Sequence, residues 1–355
     1  MASVSEMRSY KLTQFGAPLC EVIESPPAPQ GAQVLLRVSA CGVCHSDLHV
    51  ADGYFDLGNG QKLDLAPAVK LPRILGHEIA GVVEELGPDA RGVKVGDRRA
   101  IYAWGGCGRC AQCQAGHENL CAKPRSLSIH ADGGFSNYVL VDHPRYLVEY
   151  EPLAAPFAAT LGCSGLTAFS ALKKAAPVDA EHPLLIIGAG GLGLAAVSLC
   201  HALYGFGPVV ADVDATKRQA ALEAGASAVI DPADPDARKS LLADTGGLFS
   251  AIDFVGSERS AGFGLSVLRK GGRMFVVGLF GGSIGVPLAT LPMRAISIVG
   301  VFTGTLPELR ELMALAREGK VKPAPIEMRA LATAQESLDD LRAGRIQGRI
   351  VLCAE

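Results

Sequence analysis

From Leu184 onward the chain alternates short apolar runs with helical stretches, and this alternation restricts the fold more than any other feature. The apolar runs predict strands at residues 184–187, 208–212, 228–230, 251–255 and 274–277. Between them the sequence predicts helices, including one that follows Gly188 and ends near Tyr204 and one over residues 216–224. Strands that alternate with helices in this way form a parallel, doubly wound α/β sheet.

A glycine motif, Gly188-x-Gly190-x-x-Gly193 with Gly191 and Leu192 inside it, lies between the first of these strands and its helix. Such glycines permit a tight turn and let a pyrophosphate approach the helix N-terminus. Asp212 ends the next predicted strand, where a carboxylate accepts hydrogen bonds from both ribose hydroxyls and repels a 2′-phosphate. Val213 follows, where sites for NADP more often have an arginine, so the sequence predicts NAD as the cofactor.

Residues 44–49, Cys-His-Ser-Asp-Leu-His, concentrate groups that bind metals and carry protons. Thiolate and imidazole are the usual ligands of zinc, and a catalytic zinc takes three protein ligands and leaves a fourth position open. The candidates for the ligands beyond Cys44 are His77, which Glu78 follows, and Cys163.

Four further cysteines lie close together at Cys107, Cys110, Cys113 and Cys121. Four thiolates on a glycine-rich loop form a closed tetrahedral zinc site, which has a structural role. An iron–sulfur cluster also uses four cysteines, and two disulfides are a further alternative. The disulfides are disfavoured because the chain is expected in a reducing compartment, the cytoplasm.

The composition is that of a folded chain, with 49% hydrophobic and 19% charged residues. A net charge of -3 gives no electrostatic reason to expect a nucleic acid partner. The first eleven residues lack the apolar core of a signal peptide, and no apolar run reaches the roughly 20 residues of a membrane span. We therefore expect neither a nucleic acid nor a membrane as partner.

The chain resembles the zinc-dependent medium-chain alcohol dehydrogenases, of the microbial type, over essentially its whole length. The resemblance rests on Cys-Gly-Val-Cys-His-Ser-Asp at 41–47, Gly-His-Glu at 76–78, Leu-Gly-Cys-Ser-Gly-Leu-Thr at 161–167 and Gly-Arg-Ile-Val at 348–351, together with the four cysteines and the glycine motif. It implies an enzyme that interconverts an alcohol and its aldehyde or ketone by hydride transfer to NAD⁺.

The resemblance also assigns residues to two zinc ions per chain. Cys44, His77 and Cys163 match the ligands of the catalytic zinc, and the four clustered cysteines match those of the structural zinc. Asp47 matches the carboxylate that orients the histidine ligand. Ser46 and His49 match a proton relay that leads from the alcohol oxygen through the cofactor ribose to solvent; a solvated helix residue is the alternative for His49.

Glu78 matches an occasional ligand of the catalytic zinc. We favour a buried, hydrogen-bonded carboxylate beside the metal, because three ligands are already present. For NAD, the resemblance implies that His45 and Arg349 contact the pyrophosphate and that Lys217 contacts the adenosine ribose. It places Thr167, Gly278 and Leu279 around the nicotinamide.

The implied architecture is a GroES-like, β-rich catalytic domain over residues 1–152, a Rossmann domain over 153–298, and a return to the catalytic domain over 299–355. The linker from Cys121 to Cys163 is short, as in the microbial tetrameric members, so a homotetramer is favoured and a dimer is the alternative. The segment 51–72 is longer than in most members and looks like an ordered surface loop.

The residues also bear on other functions. A polyol dehydrogenase of the same superfamily commonly has a glutamate as third ligand, where this chain has Cys163. Zinc-free quinone or enoyl reductases lack the ligands, and a non-catalytic protein would not need them. Apolar residues of the segment 51–72 and the aromatic Tyr102 and Trp104 suggest a bulky pocket for medium-chain, allylic, cyclic or aromatic alcohols, unless that segment faces another subunit.

Overall fold

The computed structural model describes residues 6–179 and 181–354. Its amino-terminal part consists mainly of strands. The elements are β1 (Met7–Leu12), β2 (Cys20–Glu24), β3 (Val34–Gly42), α1 (His45–Asp52), β4 (Tyr54–Gly58), β5 (Gln61–Asp64), β6 (Arg73–Ile74), β7 (Glu78–Leu86), β8 (Arg98–Ile101), α2 (Ala111–Gln114), β9 (Tyr138–Val141) and β10 (Leu147–Glu149).

The rest of the chain alternates helices and strands up to its last strand, β18. The elements are α3 (Ala155–Thr160), α4 (Leu166–Ala175), β11 (Leu184–Ile187), α5 (Gly191–Tyr204), β12 (Val209–Ala211), α6 (Ala215–Glu223), β13 (Ala228–Ile230), α7 (Ala237–Thr245), β14 (Leu248–Asp253), α8 (Glu258–Ser266), β15 (Leu268–Val276), α9 (Thr290–Arg294), β16 (Ser297–Gly300), α10 (Leu306–Arg317), β17 (Ile326–Ala330), α11 (Ala334–Arg342) and β18 (Arg349–Cys353).

Strands β11 to β16 form one parallel sheet in the order β13-β12-β11-β14-β15-β16. Counted along the chain this is the order 3-2-1-4-5-6 of a Rossmann sheet, so the predicted doubly wound fold is confirmed. Strands β14 and β15 begin earlier than predicted, because the polar Ser250, Arg269 and Lys270 hide the start of each strand from a search for apolar runs.

The β-rich part is organised around a second sheet, with the strand order β10-β8-β7-β3-β18-β17 and β9 also paired with β3. Strand β18 pairs antiparallel with β3, and β17 pairs parallel with β18. The chain therefore leaves this sheet, builds the parallel sheet, and returns to the first one at its carboxyl-terminal end.

A helical segment, Ala155–Ala175, joins the two sheets. Helix α3 packs against β3 and β7, and α4 packs against α5 and β14. A π-helical turn, Leu161–Gly165, separates α3 from α4. By length and composition this segment qualifies as a membrane span, contrary to expectation, but 83% of its most apolar window is buried inside the protein, as in the core helix of a globular domain.

Residues within the segment 51–72 form a β-hairpin, so the prediction of an ordered surface loop was wrong about the secondary structure of this segment. Strands β4 and β5 pair antiparallel, and Asn59 and Gly60 at their turn have φ angles of 53° and 75°. The Asn59 Nδ2 donates a hydrogen bond of 2.9 Å to the Oγ of Ser283, which follows the parallel strand β15. The hairpin thus connects the β-rich part to the parallel-sheet part.

Candidate metal centres and cofactor site

Cys44, His77 and Cys163 come together although they are far apart in sequence. Their ligand atoms all lie within 4.8 Å of one another, and all three residues are buried. Cys44 precedes α1 at the end of β3, and His77 precedes β7. Because Gly42 of β3 is paired with Glu78 of β7, the strand register brings these two ligands to the same end of the sheet.

The surroundings of His77 fix the side of its ring that is available to a metal. Asp47 Oδ1 lies 3.2 Å from His77 Nδ1 and accepts a 3.1 Å hydrogen bond from the Gly76 amide, while Asp47 Oδ2 accepts one of 3.0 Å from the Cys44 amide. The buried Nε2 of His77 has no hydrogen-bond partner among the described residues. With Nδ1 engaged by Asp47, Nε2 carries the free lone pair that a metal needs.

The electrostatics of the three side chains favour a cation between them. The neighbouring Cys163 lowers the pKa of the Cys44 thiol, an effect that burial opposes and His77 reinforces. Burial lowers the pKa of His77, but the Asp47 carboxylate and Cys44 together raise it. Two buried thiols and an imidazole this close together fit a zinc ion with one coordination position left for a substrate.

Cys163 lies in the π-helical turn, and this irregularity has a visible consequence. The Ser164 amide donates a 3.0 Å hydrogen bond to Glu78 Oε1, so this amide points away from the helix axis towards the metal cluster. Single π-helical turns inside α-helices are frequent at functional sites. Glu78 Oε2 in turn lies 2.5 Å from Arg349 Nη2, so the carboxylate is held by two partners.

The four clustered cysteines form a second site. Their sulfur atoms lie within 4.8 Å of one another, with Cys110 Sγ 3.5 Å from Cys113 Sγ and 3.8 Å from Cys121 Sγ. A tetrahedron with Zn–S bonds of about 2.3 Å has edges of about 3.8 Å, so the cluster fits a zinc ion. The amides of Arg109 and Cys110 lower the pKa of Cys107 to about 6, which favours the thiolate.

Together with the loop around them, these cysteines form a small lobe over residues 105–121, which we call the cysteine lobe. The buried Glu118 braces it by accepting hydrogen bonds from the Gly106 amide, the Tyr146 hydroxyl and Arg145. In the described residues all ten cysteines are free, so the disulfide alternative finds no support in the structure.

The glycine motif begins at the carboxyl end of β11, at the edge of the sheet where nucleotides bind. Gly188 has a φ of +93°, and a Cβ on Gly193 would lie 1.9 Å from the Gly188 carbonyl oxygen, so neither position admits another residue. A Cβ on Gly190 would meet nothing within 4 Å, which leaves open space in front of the first turn of α5. This is the space that a pyrophosphate requires.

Asp212 follows β12 at the same edge of the sheet. Its Oδ2 accepts a 2.8 Å hydrogen bond from the Ala189 amide, and its Oδ1 accepts one of 2.9 Å from the Asp214 amide. The carboxylate is therefore fixed beside the glycine motif, as a ribose-binding group must be. Arg218 is close by, but it pairs with Asp231 and donates to the Asp212 carbonyl.

The remaining predicted cofactor residues lie around this edge. Gly278 and Leu279 follow β15, and Thr167 is buried on α4 one turn beyond Cys163. Burial lowers the pKa of His45, Cys44 opposes this effect, and the positive charges of Arg349 and Lys217 lower the pKa further, so these two cationic side chains lie near the His45 ring. Arg349 also packs against Gly191, where a Cβ would lie 2.3 Å from its Cδ.

Ser46 and His49, the predicted relay, lie on successive turns of α1. The Ser46 Oγ is 3.8 Å from the Cys44 Sγ, and His49 is half-buried with its ring 4.9 Å from that of Phe55. Burial lowers the pKa of His49, so its imidazole is neutral near pH 7 and can accept a proton.

Sequence analysis missed part of an aromatic wall beside His77. The Trp104 ring lies 5.2 Å from the His77 ring and 5.8 Å from the Phe302 ring. The sequence suggests Trp104 as part of the pocket, whereas Phe302 carries no local motif and lies about 200 residues further along the chain. Only the folded arrangement assigns Phe302 to the site.

A buried three-ligand metal cluster, a separate four-cysteine cluster and a dinucleotide edge on a Rossmann sheet together define a zinc- and nucleotide-dependent dehydrogenase. Residues 30–152 match the family model of the alcohol dehydrogenase GroES-like domain, and residues 191–318 match that of zinc-binding dehydrogenases.

Individual relatives agree with these family matches. The chain is 39% identical over 350 residues to an NAD-dependent alcohol dehydrogenase of Saccharolobus solfataricus, with 98% of this chain and 99% of the relative covered. It is 38% identical over 351 residues to one of Sulfurisphaera tokodaii, with the same coverage. The alcohol dehydrogenase of Aeropyrum pernix has a similar structure, with a TM-score of 0.87, 29% identity, and coverage of 98% of this chain and 99% of that one.

The chain belongs to the zinc-dependent medium-chain alcohol dehydrogenase family. It is an NAD-dependent enzyme that interconverts an alcohol and its aldehyde or ketone, with two zinc ions per chain and NAD as cofactors. The predicted family, fold class and activity are thereby confirmed.

Proposed function

We propose that Cys44, His77 and Cys163 hold the catalytic zinc and that the cysteine lobe holds the structural zinc. The observation that carries the first assignment is the buried Nε2 of His77, which lacks a partner among the described residues and belongs to a cluster with two thiols. Asp47 acts through His77 by fixing its ring, and Glu78 stays paired with Arg349 beside the metal.

When bound, zinc supplies a Lewis acid for the alcohol oxygen, and NAD⁺ supplies the hydride acceptor. The residues of the chain place the alcohol and remove its proton. We assign the proton path to two residues of α1, the Ser46 hydroxyl and the neutral imidazole of His49, beside which the cofactor ribose would bind. A histidine suits the outer end because its pKa lies close to the working pH.

For NAD we assign the two ribose hydroxyls of the adenosine to Asp212, with Lys217 beside them, and the pyrophosphate to the first turn of α5, His45 and Arg349. The nicotinamide would lie between Thr167 and the segment that contains Gly278 and Leu279. The assignments to Asp212, the first turn of α5, Gly278 and Leu279 are supported by the position of these groups at the carboxyl edge of the parallel sheet. Arg349 lies on β18 of the other sheet, and its contact with Gly191 brings it to the start of α5.

We further propose a preference for medium-chain, allylic, cyclic or aromatic alcohols over ethanol. The supporting observations are the aromatic wall of Trp104 and Phe302 and the ring of Phe55, which lies against His49. Each CH₂ buried against such a wall contributes about 0.8 kcal/mol, a few-fold in kcat/KM.

A screen of NAD⁺ reduction tests the substrate range. Ethanol, hexanol, benzyl alcohol, cyclohexanol and sorbitol would be compared by kcat/KM at one pH, with NADP⁺ as the coenzyme control. We expect the larger monoalcohols to exceed ethanol and sorbitol. Ethanol as the best substrate would contradict the pocket, and sorbitol as the best would favour the polyol alternative.

We also infer a cytoplasmic homotetramer with the domain boundaries 1–152, 153–298 and 299–355. The free cysteines suit a reducing compartment.

Exposed apolar side chains close to the edge strand β16 suit a subunit contact. They are Phe280, Leu288 and Met293, at 74%, 81% and 75% exposure. Light scattering after size exclusion would distinguish a tetramer from a dimer or a monomer.

A further inference from the structure

Asn119 connects the cysteine lobe to the segment that contains Phe302. It lies between the third and fourth cysteines, and its Nδ2 donates a 2.9 Å hydrogen bond to the carbonyl oxygen of Phe302. The other amide atom, Oδ1, is buried and has no partner among the described residues. The side-chain hydrogen bond of Asn119 therefore leads out of the lobe instead of bracing it.

A second hydrogen bond holds the same segment. The buried hydroxyl of Tyr102 donates a hydrogen bond of 3.0 Å to the carbonyl oxygen of Gly304. The carbonyl groups of the two residues that flank Thr303 are thus held by residues of the β-rich part. Asn119 lies on the lobe, and Tyr102 lies just before it.

Thr303 shows why this segment needs to be held. Its φ is 49°, in the left-handed region that non-glycine residues seldom adopt, and it is buried. Its hydroxyl has no hydrogen-bond partner in the described part of the chain. A conformation of this kind costs of order 1–3 kcal/mol and persists only where the surroundings enforce it.

The held segment carries the aromatic wall. The Phe302 ring meets the Trp104 ring edge-on at 5.8 Å, and the Trp104 ring lies 5.2 Å from His77. A small shift of the Phe302 backbone would therefore change the space beside the metal cluster.

We propose that Asn119 is a positioning residue for the alcohol, through which the cysteine lobe sets the place of Phe302. The proposal rests on the alcohol binding beside His77, as argued above. It gives the lobe a part in substrate selection in addition to its local stability.

The test compares three variants of the zinc-loaded enzyme. Asn119→Ala removes the amide, and Asn119→Asp keeps the size but removes the donor. Gln112→Ala changes an exposed residue of the same lobe and serves as the matched control. We expect both Asn119 variants to keep two zinc ions per chain and to raise the KM for benzyl alcohol about fivefold, the equivalent of one ordinary hydrogen bond. The KM for ethanol and the kcat should change little.

A second readout does not depend on turnover. Trp104 is the only tryptophan of the chain, so its fluorescence reports on the wall directly. We expect a red-shifted emission and stronger quenching by acrylamide in both Asn119 variants, and the wild-type spectrum in Gln112→Ala.

Unchanged fluorescence and unchanged KM in the Asn119 variants would overturn the proposal. So would a loss of activity that follows only the loss of zinc from the lobe, since Asn119 would then serve the lobe alone. A wild-type enzyme without activity on any alcohol would instead refute the proposed function, and the fluorescence would still decide whether Asn119 positions Phe302.

Discussion

Glu78 and Arg349 form a buried ion pair, with Oε2 and Nη2 2.5 Å apart although the residues are 271 positions apart in sequence. The other oxygen of Glu78 accepts the Ser164 amide. The pair therefore joins β7, the π-helical turn and β18 directly beside the metal cluster. Burial raises the pKa of Glu78, and the guanidinium of Arg349 opposes this effect.

Removing one partner of this pair should destabilise the protein strongly. Arg349→Met leaves the Glu78 carboxylate buried without a counter-charge, and we expect a loss of about 3–5 kcal/mol in the free energy of unfolding. The double variant Glu78→Gln/Arg349→Met removes both charges and should recover much of the loss. Urea unfolding of the single and double variants measures both effects; a single variant as stable as the wild type would show that the pair contributes little.

Asp212 should determine the choice of coenzyme. Asp212→Ala removes a carboxylate that is fixed by two amides, so the KM for NAD⁺ should rise about tenfold or more. The ratio of kcat/KM for NAD⁺ to that for NADP⁺ should decrease. Asp214→Ser, which preserves a side chain able to cap α6, is the control for the loss of a nearby charge. Steady-state kinetics with both coenzymes test this, and a wild-type preference for NADP⁺ would contradict it.

His49 should shape the pH profile. Because burial lowers its pKa, the imidazole stays neutral at pH 7 and becomes protonated only below its ordinary range near 6.5. The wild-type kcat should therefore fall on the acid side below that pH. His49→Gln should lower kcat at pH 7 and should abolish the decrease of kcat at acid pH. Imidazole added to the buffer should restore activity. A pH profile identical to that of the wild type would remove His49 from the proton path.

Local sequence signals predicted the parallel sheet well. The strand β11, the helix α5 and the strand β13 lie where they were predicted, because short apolar runs bounded by polar or turn-forming residues leave few alternatives. The hairpin was missed although Asn59-Gly60, a common hairpin turn, was present in the sequence. The apolar alternation around that turn is weak, since Leu57 and Leu63 are about half exposed.

Other features had no local signal. A π-helical turn differs from an α-helix by one residue per turn, which the apolar spacing around Cys163 does not resolve. The contacts of Glu78 with Arg349 and of Asn119 with Phe302 join residues 271 and 183 positions apart, and only the assembled sheets bring them together. Motifs thus indicated the residues that we propose as metal ligands, whereas the walls and supports of the site depend on tertiary packing.

The hairpin should contribute to substrate selection through Phe55. Phe55→Ala removes a ring that packs against His49, so kcat/KM should fall several-fold for hexanol and benzyl alcohol and little for ethanol. Gln61→Ala, an exposed position on the facing strand β5, is the control. An equal fall for all three alcohols would point to His49 or to stability instead of the pocket.

The catalytic role of one metal site and the structural role of the other are tested most directly by metal content measured together with NADH formation. Cys44→Ser should keep the fold and about one zinc ion per chain, the ion of the cysteine lobe. It should form no NADH from any alcohol. Cys110→Ser should instead lose thermal stability, because the lobe is held together by its ion. The account would be contradicted if Cys44→Ser oxidised alcohols at the wild-type rate, or if it unfolded while Cys110→Ser stayed stable and lost only its activity.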